Sequence, residues 1–303
     1  MSASHPSIEV LEAGMFTTVQ DLGRPGYGPM GVSASGAADA LSLRVGNLLV
    51  GNHEGAAALE MTLSGGTFAF PQGGVVALTG SDLGSGLPLW TACTLEAGDV
   101  LRCGKSFTGA RCYLCVRGGI SVPLFLGSAS THVLTGLGGH VVARGDVLHV
   151  GEEGVGRIRV ANPGALLRIS PRKVIRATDG PQSGWFRSSF FAGKYTVTEE
   201  ANRMGLRLGG ATFEMERPGK MLSEGVALGA VQIAAGGQPI IMFVEQQTTG
   251  GYPKIANVIA ADMHSVGQLR PRDEVRFVRV SLEEARESLR KQEKLIGSGD
   301  LFL

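Results

Sequence analysis

The sequence has little net charge, few charged residues and no long hydrophobic segment. Its 28 Lys and Arg residues balance 27 Asp and Glu residues, which leaves a formal net charge of +1 over 303 residues. Affinity for nucleic acid depends mainly on clustered cations, so this balance argues against a nucleic-acid-binding protein. Charged residues make up 18% and hydrophobic residues 43%, which is too apolar for a disordered chain and sufficient for a folded core.

Targeting and membrane-spanning signals are also missing. No apolar run approaches the ~18 residues that a membrane-spanning helix requires. The N-terminal segment MSASHPSIEV has no cationic stretch followed by an apolar core. The sequence therefore predicts no signal peptide, no membrane association and a cytoplasmic location.

Cysteine is scarce, with four residues in the chain. Cys112 and Cys115 form a C-x-x-C within RCYLCV, a segment typical of a strand, in which positions i and i+3 point to opposite faces. No second C-x-x-C or His pair completes a zinc-binding set. We therefore expect buried thiols and no metal, with a redox-active pair as the alternative.

Glycine, in contrast, is abundant: 46 of 303 residues, about 15%, roughly twice its usual share. A Gly-rich chain of short apolar runs punctuated by Pro predicts short strands joined by tight turns. The predicted strands include Val75–Gly80, Tyr113–Arg117, Asp146–Val150, Leu166–Ser170, Ile240–Glu245 and Val275–Val280. Helical spacing is confined to residues 37–50, 254–269 and 282–296, and Ser281 with Glu284 predicts a capping box at the start of the last helix.

The two halves of the chain resemble each other weakly. Each has a buried strand, a polar cluster, a Gly-rich loop and a turn with Asp that leads into another strand. Prolines punctuate the region between the halves. We expect a mainly β fold with an N-terminal β module over residues 8–165, a C-terminal β module over 166–280, and a C-terminal helix and tail over 281–303.

One cluster of candidate functional residues lies on the polar, Gly-rich approach to the first helix. Gly36 gives the backbone the freedom to bring N–H groups close to a ligand. The alternative is a turn followed by a helix whose N-terminus is capped by Asp39. The candidates in this segment are Asp21, Arg24, Ser35, Gly36, Asp39 and Arg44.

A second cluster follows the apolar strand that ends at Glu245. A Gly-rich loop leads to Lys254, where a helix is predicted to begin. Free N–H groups at a helix N-terminus, together with this loop and the charge of Lys254, would form an anion site. The alternative is a plain strand–helix connection. The candidates here are Thr248, Thr249, Gly250, Gly251, Tyr252 and Lys254.

Other polar segments are more typical of turns than of sites. One contains Arg117, Gly118 and Gly119, and another contains Asn202 and Arg203. Arg117 ends the predicted strand Tyr113–Arg117, and a further segment of this kind contains Ser223 and Glu224. We keep these residues as weaker candidates for substrate or anion binding.

Six motifs in a fixed order connect these clusters. They are TTVQDLGRPGY, SGAAD with LSLR, VRGGI with LGS, NRMG, SEGV and QTTGGYPKI. Over about residues 8–280 the chain resembles a family variously called the C subunit of 5-oxoprolinase, KipI antagonist, allophanate hydrolase subunit 2 and biotin-dependent carboxyltransferase-type protein. Ala38, Ala129 and Glu245-Gln246-Gln247 stand where the family often has Met, Arg and D-R-Q.

The resemblance implies two cyclophilin-like β-barrel modules and a place in an ATP-dependent 5-oxoprolinase, which opens 5-oxo-L-proline to L-glutamate. It implies a KipI-like B subunit as sister chain and a LamB/YcsF-type A subunit, with ATP, alone or with Mg²⁺, bound by the complex. One alternative is the carboxyltransferase component of a biotin-dependent, urea-type carboxylase. This chain has no Met-Lys-Met biotin-carrier motif, so no biotin would be attached to it. The other alternative is a regulatory protein that antagonises a KipI-like kinase inhibitor.

The reaction that the resemblance implies suggests roles for the candidates. The N–H groups of residues 248–251 and the ammonium of Lys254 are expected to face an anion. Arg24 or Arg117 is expected to orient a substrate carboxylate. The candidates for the general base are Asp21, Asp39 and Glu245.

Overall fold

The computed structural model describes residues 6–152, 156–216 and 221–303. The prediction that the N-terminus contains no signal peptide falls partly on residues 1–5, which lie outside the described residues. The chain divides into two compact units. The first contains residues up to 24 together with 35–168 and 298–303, and the second contains 25–34 and 169–297. The predicted mainly β fold with few helices is confirmed.

The first unit is built from two antiparallel sheets of five strands each. Its strands are β1 (Ser7–Glu12), β2 (Thr17–Gln20), β3 (Ala58–Thr62), β4 (Thr67–Phe70), β5 (Gly74–Gly80), β6 (Ala92–Leu95), β7 (Asp99–Arg102), β8 (Arg111–Val116), β9 (Ile120–Ser121) and β10 (Val147–Val150). One sheet has the order β7-β4-β1-β10-β9 and the other β2-β3-β8-β5-β6. Ile8 and Phe68 of the first sheet join Leu59 and Leu114 of the second in one buried cluster, so the sheets enclose a common core.

Helix α1 (Ala40–Val50) packs on the second of these sheets through a glycine. A Cβ on Gly46 would lie 2.6 Å from Cys115 Sγ and 2.9 Å from Thr79 Oγ1, so no side chain fits there. Thr79 Oγ1 donates a hydrogen bond of 2.7 Å to Ser42 O on the helix. This close approach fixes the position of the helix on the sheet.

The second unit contains a closed barrel of seven strands and a separate two-stranded ribbon. Its strands are β11 (Val174–Asp179), β12 (Tyr195–Val197), β13 (Gly205–Gly210), β14 (Glu224–Gly225), β15 (Ala230–Ile233), β16 (Pro239–Met242), β17 (Thr249–Gly250), β18 (Lys254–Val258) and β19 (Glu274–Arg279). The barrel order is β11-β18-β15-β16-β13-β12-β19, and a parallel pair of β11 and β19 closes it. Strands β14 and β17 form the ribbon.

The C-terminal helix belongs to this second unit. It is α4 (Leu282–Gly297), and α3 (Met263–Gly267) lies in the same unit. Helix α2 (Pro163–Arg168) lies in the first unit. The capping box predicted for α4 is confirmed: Ser281 N–H donates to Glu284 Oε2 at 2.7 Å, and Glu284 N–H donates to Ser281 Oγ at 3.1 Å. Arg176 of β11 donates to both carboxylate oxygens of Asp262 and to Ser288 Oγ of α4, which ties the helix to the barrel.

The predicted helix over 254–269 is wrong in its first half. Residues Lys254–Val258 form strand β18, which pairs with β11 on one side and β15 on the other. Ile255, Ala256 and Val258 are all buried, so both faces of the strand are covered. A short run that is apolar on both faces cannot be told from a buried helix by periodicity, and pairing within the barrel decides the outcome.

The predicted strand over Leu166–Ser170 is also wrong, because residues 163–168 form helix α2. Pro163 is the first residue of that helix, and the Asn162 side chain accepts a hydrogen bond of 2.9 Å from Gly164 N–H. Proline in the first turn and asparagine just before it favour the start of a helix. These local signals outweigh the apolar pattern that predicted a strand.

The cysteines are free thiols, and three of them are buried. Burial raises the pKa of Cys103 to about 12 and the pKa of Cys112 and Cys115 well above the ordinary value of a thiol. Cys112 lies in the core cluster, whereas Cys115 Sγ approaches Leu43 O of helix α1 at 3.7 Å. The two thiols of the C-x-x-C therefore lie on opposite faces of β8, as the strand pattern predicts, and not as a redox pair.

We expect the native protein to react with Ellman's reagent at pH 8 at one thiol, Cys93, because Cys93 is partly exposed and the other three are buried. Partial burial also raises the pKa of Cys93, so its reaction should be slow. Unfolding in guanidinium chloride should release all four. A Cys93→Ser variant should then be unreactive in the native state. Fast reaction of a second native thiol would contradict this assignment.

Candidate functional site

Asp21 directly follows β2, and its carboxylate holds the loop that contains Ser128 and Ser130. It accepts hydrogen bonds of 2.7 Å from Gly23 N–H, Ala129 N–H and Ser128 Oγ, and another from Ser130 Oγ. A carboxylate has about four acceptor positions, and these donors occupy them. The buried Asp21 carboxylate is a structural clamp, and its expected role as general base stays a prediction.

Arg24 lies in the same loop region and is only 2% exposed. Its guanidinium donates to Ser130 O and, at 3.3 Å, to Phe125 O, and it lies 5.5 Å from the centroid of the Phe125 ring. The guanidinium thus stabilises main-chain carbonyls of the loop. The expected role of Arg24 in binding a substrate carboxylate does not fit this burial.

Ser35 and Gly36 form the tight turn that leads to α1. Both have positive φ, 55° and 98°, and Ser35 Oγ donates to Thr131 O at 3.0 Å. A Cβ on Gly36 would lie 3.0 Å from the carbonyl carbon of Leu22. The turn brings two main-chain segments together, and this close approach accounts for the glycine.

Asp39 is the N-cap of helix α1, as the alternative interpretation predicted. Oδ1 accepts from Ser42 N–H at 2.9 Å and Oδ2 from Ser42 Oγ at 2.6 Å. The side chain is completely buried. Its carboxylate supports the helix start, and its expected role as general base stays a prediction.

A buried acid beside this cap escaped the sequence reasoning. Glu60 lies in β3, is 1% exposed, and accepts hydrogen bonds of 2.7 Å from Ala38 N–H and from the Tyr113 hydroxyl. Burial and the neighbouring Glu60 charge raise the pKa of Tyr113. A glutamate within the apolar run ALEMT was the available signal, because a charged residue in a buried strand requires partners.

The remaining candidates of the first unit make local contacts. Arg44 pairs with Glu54 at 2.9 Å, and Arg117 donates to Gly156 O. Gly118 N–H donates to Asn52 Oδ1 at 2.9 Å, and a Cβ at this position would lie 2.5 Å from Gly151 O. Gly118 and Gly119 therefore form a tight turn between β8 and β9, with positive φ at both.

In the second unit, the anion that Arg203 binds is a side chain of the same chain. Arg203 Nε donates to Glu245 Oε1, and Glu245 N–H donates to Arg203 O at 2.9 Å. Both side chains are buried. The neighbouring Asn202 Oδ1 accepts from Met204 N–H at 2.8 Å in a turn. The pair accounts for both charges within the chain, and the expected roles of Arg203 in ligand binding and of Glu245 as general base stay predictions.

Replacing Glu245 with glutamine should destabilise the second unit, because the buried Arg203 charge loses its carboxylate. Loss of one partner of a buried pair is strongly unfavourable, and the retained amide oxygen limits the expected cost to about 2–3 kcal/mol. Urea unfolding of the variant measures this cost. The double variant Arg203→Met, Glu245→Met should recover most of it, and equal instability of the single and double variants would contradict the proposed charge effect.

The expected anion site at a helix N-terminus is wrong, because Lys254 begins strand β18 and no helix starts there. Thr249 and Gly250 form β17 and pair with Gly225 and Glu224 of β14. Thr248 O accepts a hydrogen bond of 3.0 Å from Val226 N–H, which extends the ribbon. The Gly-rich segment is thus a structured ribbon.

The Lys254 side chain nevertheless belongs to a polar cluster. Its Nζ lies 2.5 Å from Glu224 Oε1 and 3.2 Å from Gly225 O. Gln182, which the sequence reasoning missed, donates from Nε2 to Glu224 Oε1 and accepts from Lys254 N–H, both at 3.0 Å. Hydrogen bonding to Lys254, and then to Gln182, lowers the pKa of Glu224. We call Lys254, Glu224 and Gln182 the Lys254 cluster.

The Lys254 cluster combines a buried cation with an accessible acid. The Lys254 side chain is 8% exposed and that of Glu224 is 44% exposed. An ammonium has three N–H donors, and two acceptors are found among the described residues. The third N–H can donate to a further acceptor, such as a carboxylate or phosphate oxygen.

A cavity of about 690 Å³ lies in the second unit, and three of its lining residues are close in sequence to members of the Lys254 cluster. Pro253 lines it directly before Lys254, Trp185 lies three residues after Gln182, and Met221 lies three residues before Glu224. Its lining is Trp185, Thr212, Phe213, Glu214, Met215, Met221, Ile233, Ala234, Ala235, Gly236, Gly237, Gly251, Tyr252 and Pro253. Of the predicted anion-binding residues, Gly251 and Tyr252 are therefore part of the cavity wall. Trp185 and Glu214 belong to none of the sequence motifs, so nothing in the sequence indicated that they line a cavity.

Two absences apply to the described parts of the chain. Within residues 6–152, 156–216 and 221–303, no group of three or more His, Cys, Asp or Glu side chains is arranged to hold a metal ion. Within the same ranges, every helix is too short or too polar to span a bilayer.

The comparisons with known proteins agree with the motifs. Residues 30–279 match the family described as carboxyltransferase domain, subdomain A and B. The C subunit of 5-oxoprolinase from Escherichia coli is 38% identical over 299 residues, which cover 95% of this chain and 96% of that protein. The urea amidolyase of Saccharomyces cerevisiae is 34% identical over 325 residues, which cover 97% of this chain and 18% of that protein.

Among solved structures, the urea amidolyase of K. lactis superposes with a TM-score of 0.90 at 31% identity. The match covers 99% of this chain and 21% of that one, so the present chain corresponds to about a fifth of the amidolyase. The predicted resemblance is confirmed over nearly the whole chain. The chain belongs to the family of the carboxyltransferase domain, subdomains A and B, which includes the C subunit of 5-oxoprolinase.

Proposed function

We propose that this chain is the C subunit of an ATP-dependent 5-oxoprolinase, which opens 5-oxo-L-proline to L-glutamate. One observation carries the proposal: the match to the C subunit of the E. coli 5-oxoprolinase spans 95% of this chain and 96% of that protein. In the yeast urea amidolyase the equivalent region is 18% of a much longer chain. Coverage of nearly the whole E. coli subunit favours the oxoprolinase assignment.

The partners follow from that assignment. A KipI-like B subunit, together with a LamB/YcsF-type A subunit, would complete the enzyme, and the complex would use ATP. Transfer of the γ-phosphoryl group to the lactam carbonyl oxygen releases ADP. Water then adds to the carbonyl carbon, and the C–N bond breaks to give a free amine and an acyl phosphate. A second water hydrolyses the acyl phosphate to the carboxylate and phosphate. Charge accumulates on oxygen atoms in each step, so cationic groups and N–H donors must face them.

The Lys254 cluster is the group in the second unit that best suits this requirement. Its third N–H donor can contact a phosphate or carboxylate oxygen, and Glu224 keeps the ammonium charge balanced when no ligand is bound. Asp21, Arg24 and Asp39 are already engaged in folding contacts. We therefore assign the functional cation of this chain to Lys254.

The test is reconstitution with the two sister chains. Glutamate and ADP are measured with 5-oxoproline and ATP, and each of the three chains is omitted in turn. We expect one ADP for each glutamate and no turnover without this chain. Carboxylation of urea in the presence of a biotin carrier, with no turnover of 5-oxoproline, would contradict the proposal.

The contrary result would favour a second candidate, the carboxyltransferase component of a urea-type carboxylase. The TM-score of 0.90 with the K. lactis urea amidolyase is the observation in its favour. A biotin carrier on another chain would then be required.

A further inference from the structure

The longest uncharged stretch of the sequence includes a surface segment of the first unit. Residues 118–143 contain no Asp, Glu, Lys or Arg, although such residues make up 18% of the chain. We call residues 122–141, which lie between β9 and β10, the apolar lobe. Its exposed apolar side chains are those of Leu124, Leu126, Val133, Leu134, Leu137 and Val141. Exposed apolar side chains together with a depletion of charge are typical of a protein–protein interface.

The two loops of the apolar lobe meet at one buried guanidinium. Arg24 Nε donates to Phe125 O at 3.3 Å, and a Cβ on Gly138 would lie 2.5 Å from Arg24 Nη2. The loop that carries Leu124 and the loop that carries Leu134 therefore both contact the same side chain. Their exposed leucines belong to one surface region, whereas apolar residues scattered singly over a surface would need no explanation.

The turn at the tip of the first loop contains a residue that its backbone does not favour. Phe125 and Ser128 exchange main-chain hydrogen bonds of 2.9 and 3.1 Å around Leu126 and Gly127, whose φ angles are 50° and 77°. A two-residue turn with positive φ at both central positions favours Asn, Asp or Gly, and positive φ is unfavourable for leucine. The Leu126 side chain is 38% exposed, so packing within the chain accounts for only part of its presence. A contact with another molecule explains a leucine at this position.

Buried polar groups hold the apolar lobe in one conformation. Asp21 accepts from Ser128 Oγ at 2.7 Å, and Arg24 donates to main-chain carbonyls on either side of that serine. Val19 N–H of β2 donates to His140 O at 3.3 Å, which ties the other end of the lobe to the sheet. A surface that is already ordered loses less conformational entropy when a partner binds. The Asp21 and Arg24 contacts therefore suit a segment that must present a fixed docking surface.

The chemistry of the apolar lobe narrows the choice of partner. Without Lys or Arg it does not attract nucleic acid or anionic lipid, and without Asp or Glu it does not attract a basic surface. The partner must therefore present an apolar, uncharged surface of its own. In the K. lactis urea amidolyase the equivalent region is 21% of a longer chain and is joined covalently to the rest, whereas this chain matches almost the whole of a separate subunit. A separate subunit needs a non-covalent surface in place of that linkage, which favours a sister chain over a second copy.

We propose that the apolar lobe is the surface on which this chain docks the KipI-like B subunit. The inference rests on the proposed function, which requires that subunit, and it assigns the contact to the exposed leucines of the lobe. Asp21 and Arg24 then act indirectly, by holding the docking surface in place.

Binding of the separately purified B subunit, measured by isothermal titration calorimetry, tests the assignment. Leu124→Glu and Leu134→Glu place a charge at positions that are 66% and 70% exposed, and each should weaken binding about 30-fold or more, as at a central interface residue. Leu167→Glu is the matched control, since Leu167 of helix α2 is 77% exposed and lies outside the lobe. The control should bind like the wild type. The urea unfolding midpoints of all three variants should stay close to that of the wild type, because exposed positions contribute little to the core.

Leu126→Asn gives a second measurement, in which binding and stability should change independently. Asparagine tolerates positive φ better than leucine, so the turn should keep its stability while binding of the B subunit weakens. Wild-type affinity in this variant would overturn the contact assigned to Leu126.

The failure of this inference can be told from the failure of the proposed function. A complex that turns over 5-oxoproline, with unchanged affinity for the B subunit in both folded glutamate variants, retains the function and removes the docking assignment. A wild-type chain that sediments alone as a dimer, with variants that sediment as monomers, would also overturn the inference by assigning the lobe to a second copy. A complex that assembles through the lobe and does not turn over 5-oxoproline removes the function and retains the docking surface.

Discussion

Replacing Asp21 with alanine is expected to lower the free energy of unfolding by about 4 kcal/mol or more, an exceptionally large effect for one substitution. The carboxylate is buried and accepts from two main-chain N–H groups and from the hydroxyls of Ser128 and Ser130. Each buried donor that loses its acceptor costs about 1–3 kcal/mol. Several such losses in one loop account for the predicted size.

Urea unfolding followed by circular dichroism measures the effect. Asp82→Ala is the matched control, because the Asp82 carboxylate accepts from Gly84 N–H at 2.7 Å at an exposed position. This control should cost about 1 kcal/mol or less. An Asp21→Ala protein with wild-type stability and no activity would reverse the assignment and restore Asp21 as a general base.

Five of the six predicted strands correspond to strands of the structure, whereas the other strands among the described residues were not predicted. Val75–Gly80 is bounded by glycines and corresponds to β5, and Val275–Val280 corresponds to β19 within one residue at each end. Glycine and proline end strands for local reasons that hold in any fold. The last helix was predictable for the same reason, since the Ser281–Glu284 capping box is a local contact.

Elements decided by distant contacts were not predictable. Lys254–Val258 has apolar spacing that suits a helix, but pairing with β11 makes it a strand, and the paired residues Thr178 and Asn257 are 79 residues apart. The helix N-terminus that was expected to form part of an anion site at Lys254 does not exist. The sequence singled out the charge of Lys254 as a candidate, whereas its partners Gln182 and Glu224 come from other segments.

The polar motifs show the same limit. The sequence shows that Arg203 and Glu245 are charged, but not that they neutralise each other across 42 residues. Asp21 is likewise separated from Ser130 by 109 residues. Charged residues in Gly-rich segments suggested ligand binding, and in most cases the structure supplies the partner from within the chain. Residue types alone do not distinguish a charged residue that binds a ligand from one that pairs within the chain.

Replacing Lys254 with methionine is expected to lower kcat/KM of the reconstituted 5-oxoprolinase about 10²–10³-fold, the usual effect of removing a group that stabilises charge in the transition state. The variant should remain folded. Methionine preserves the buried apolar stem of the lysine. The partner Glu224 is 44% exposed, so its carboxylate stays solvated and no buried charge is left alone.

Steady-state rates of glutamate formation and urea unfolding, measured on the same preparations, separate function from folding. Lys173→Met is the matched control, because Lys173 forms an ion pair of 2.7 Å with Asp273 and is 62% exposed. Wild-type rates in the Lys254→Met complex would remove Lys254 from the site. A large loss of stability would instead assign Lys254 to the ribbon that it joins through Gly225 O. If the Lys254 ammonium faces the substrate, the variant should lose rate and keep its stability. That combination shows that the charge acts on the substrate and not on the fold of the chain.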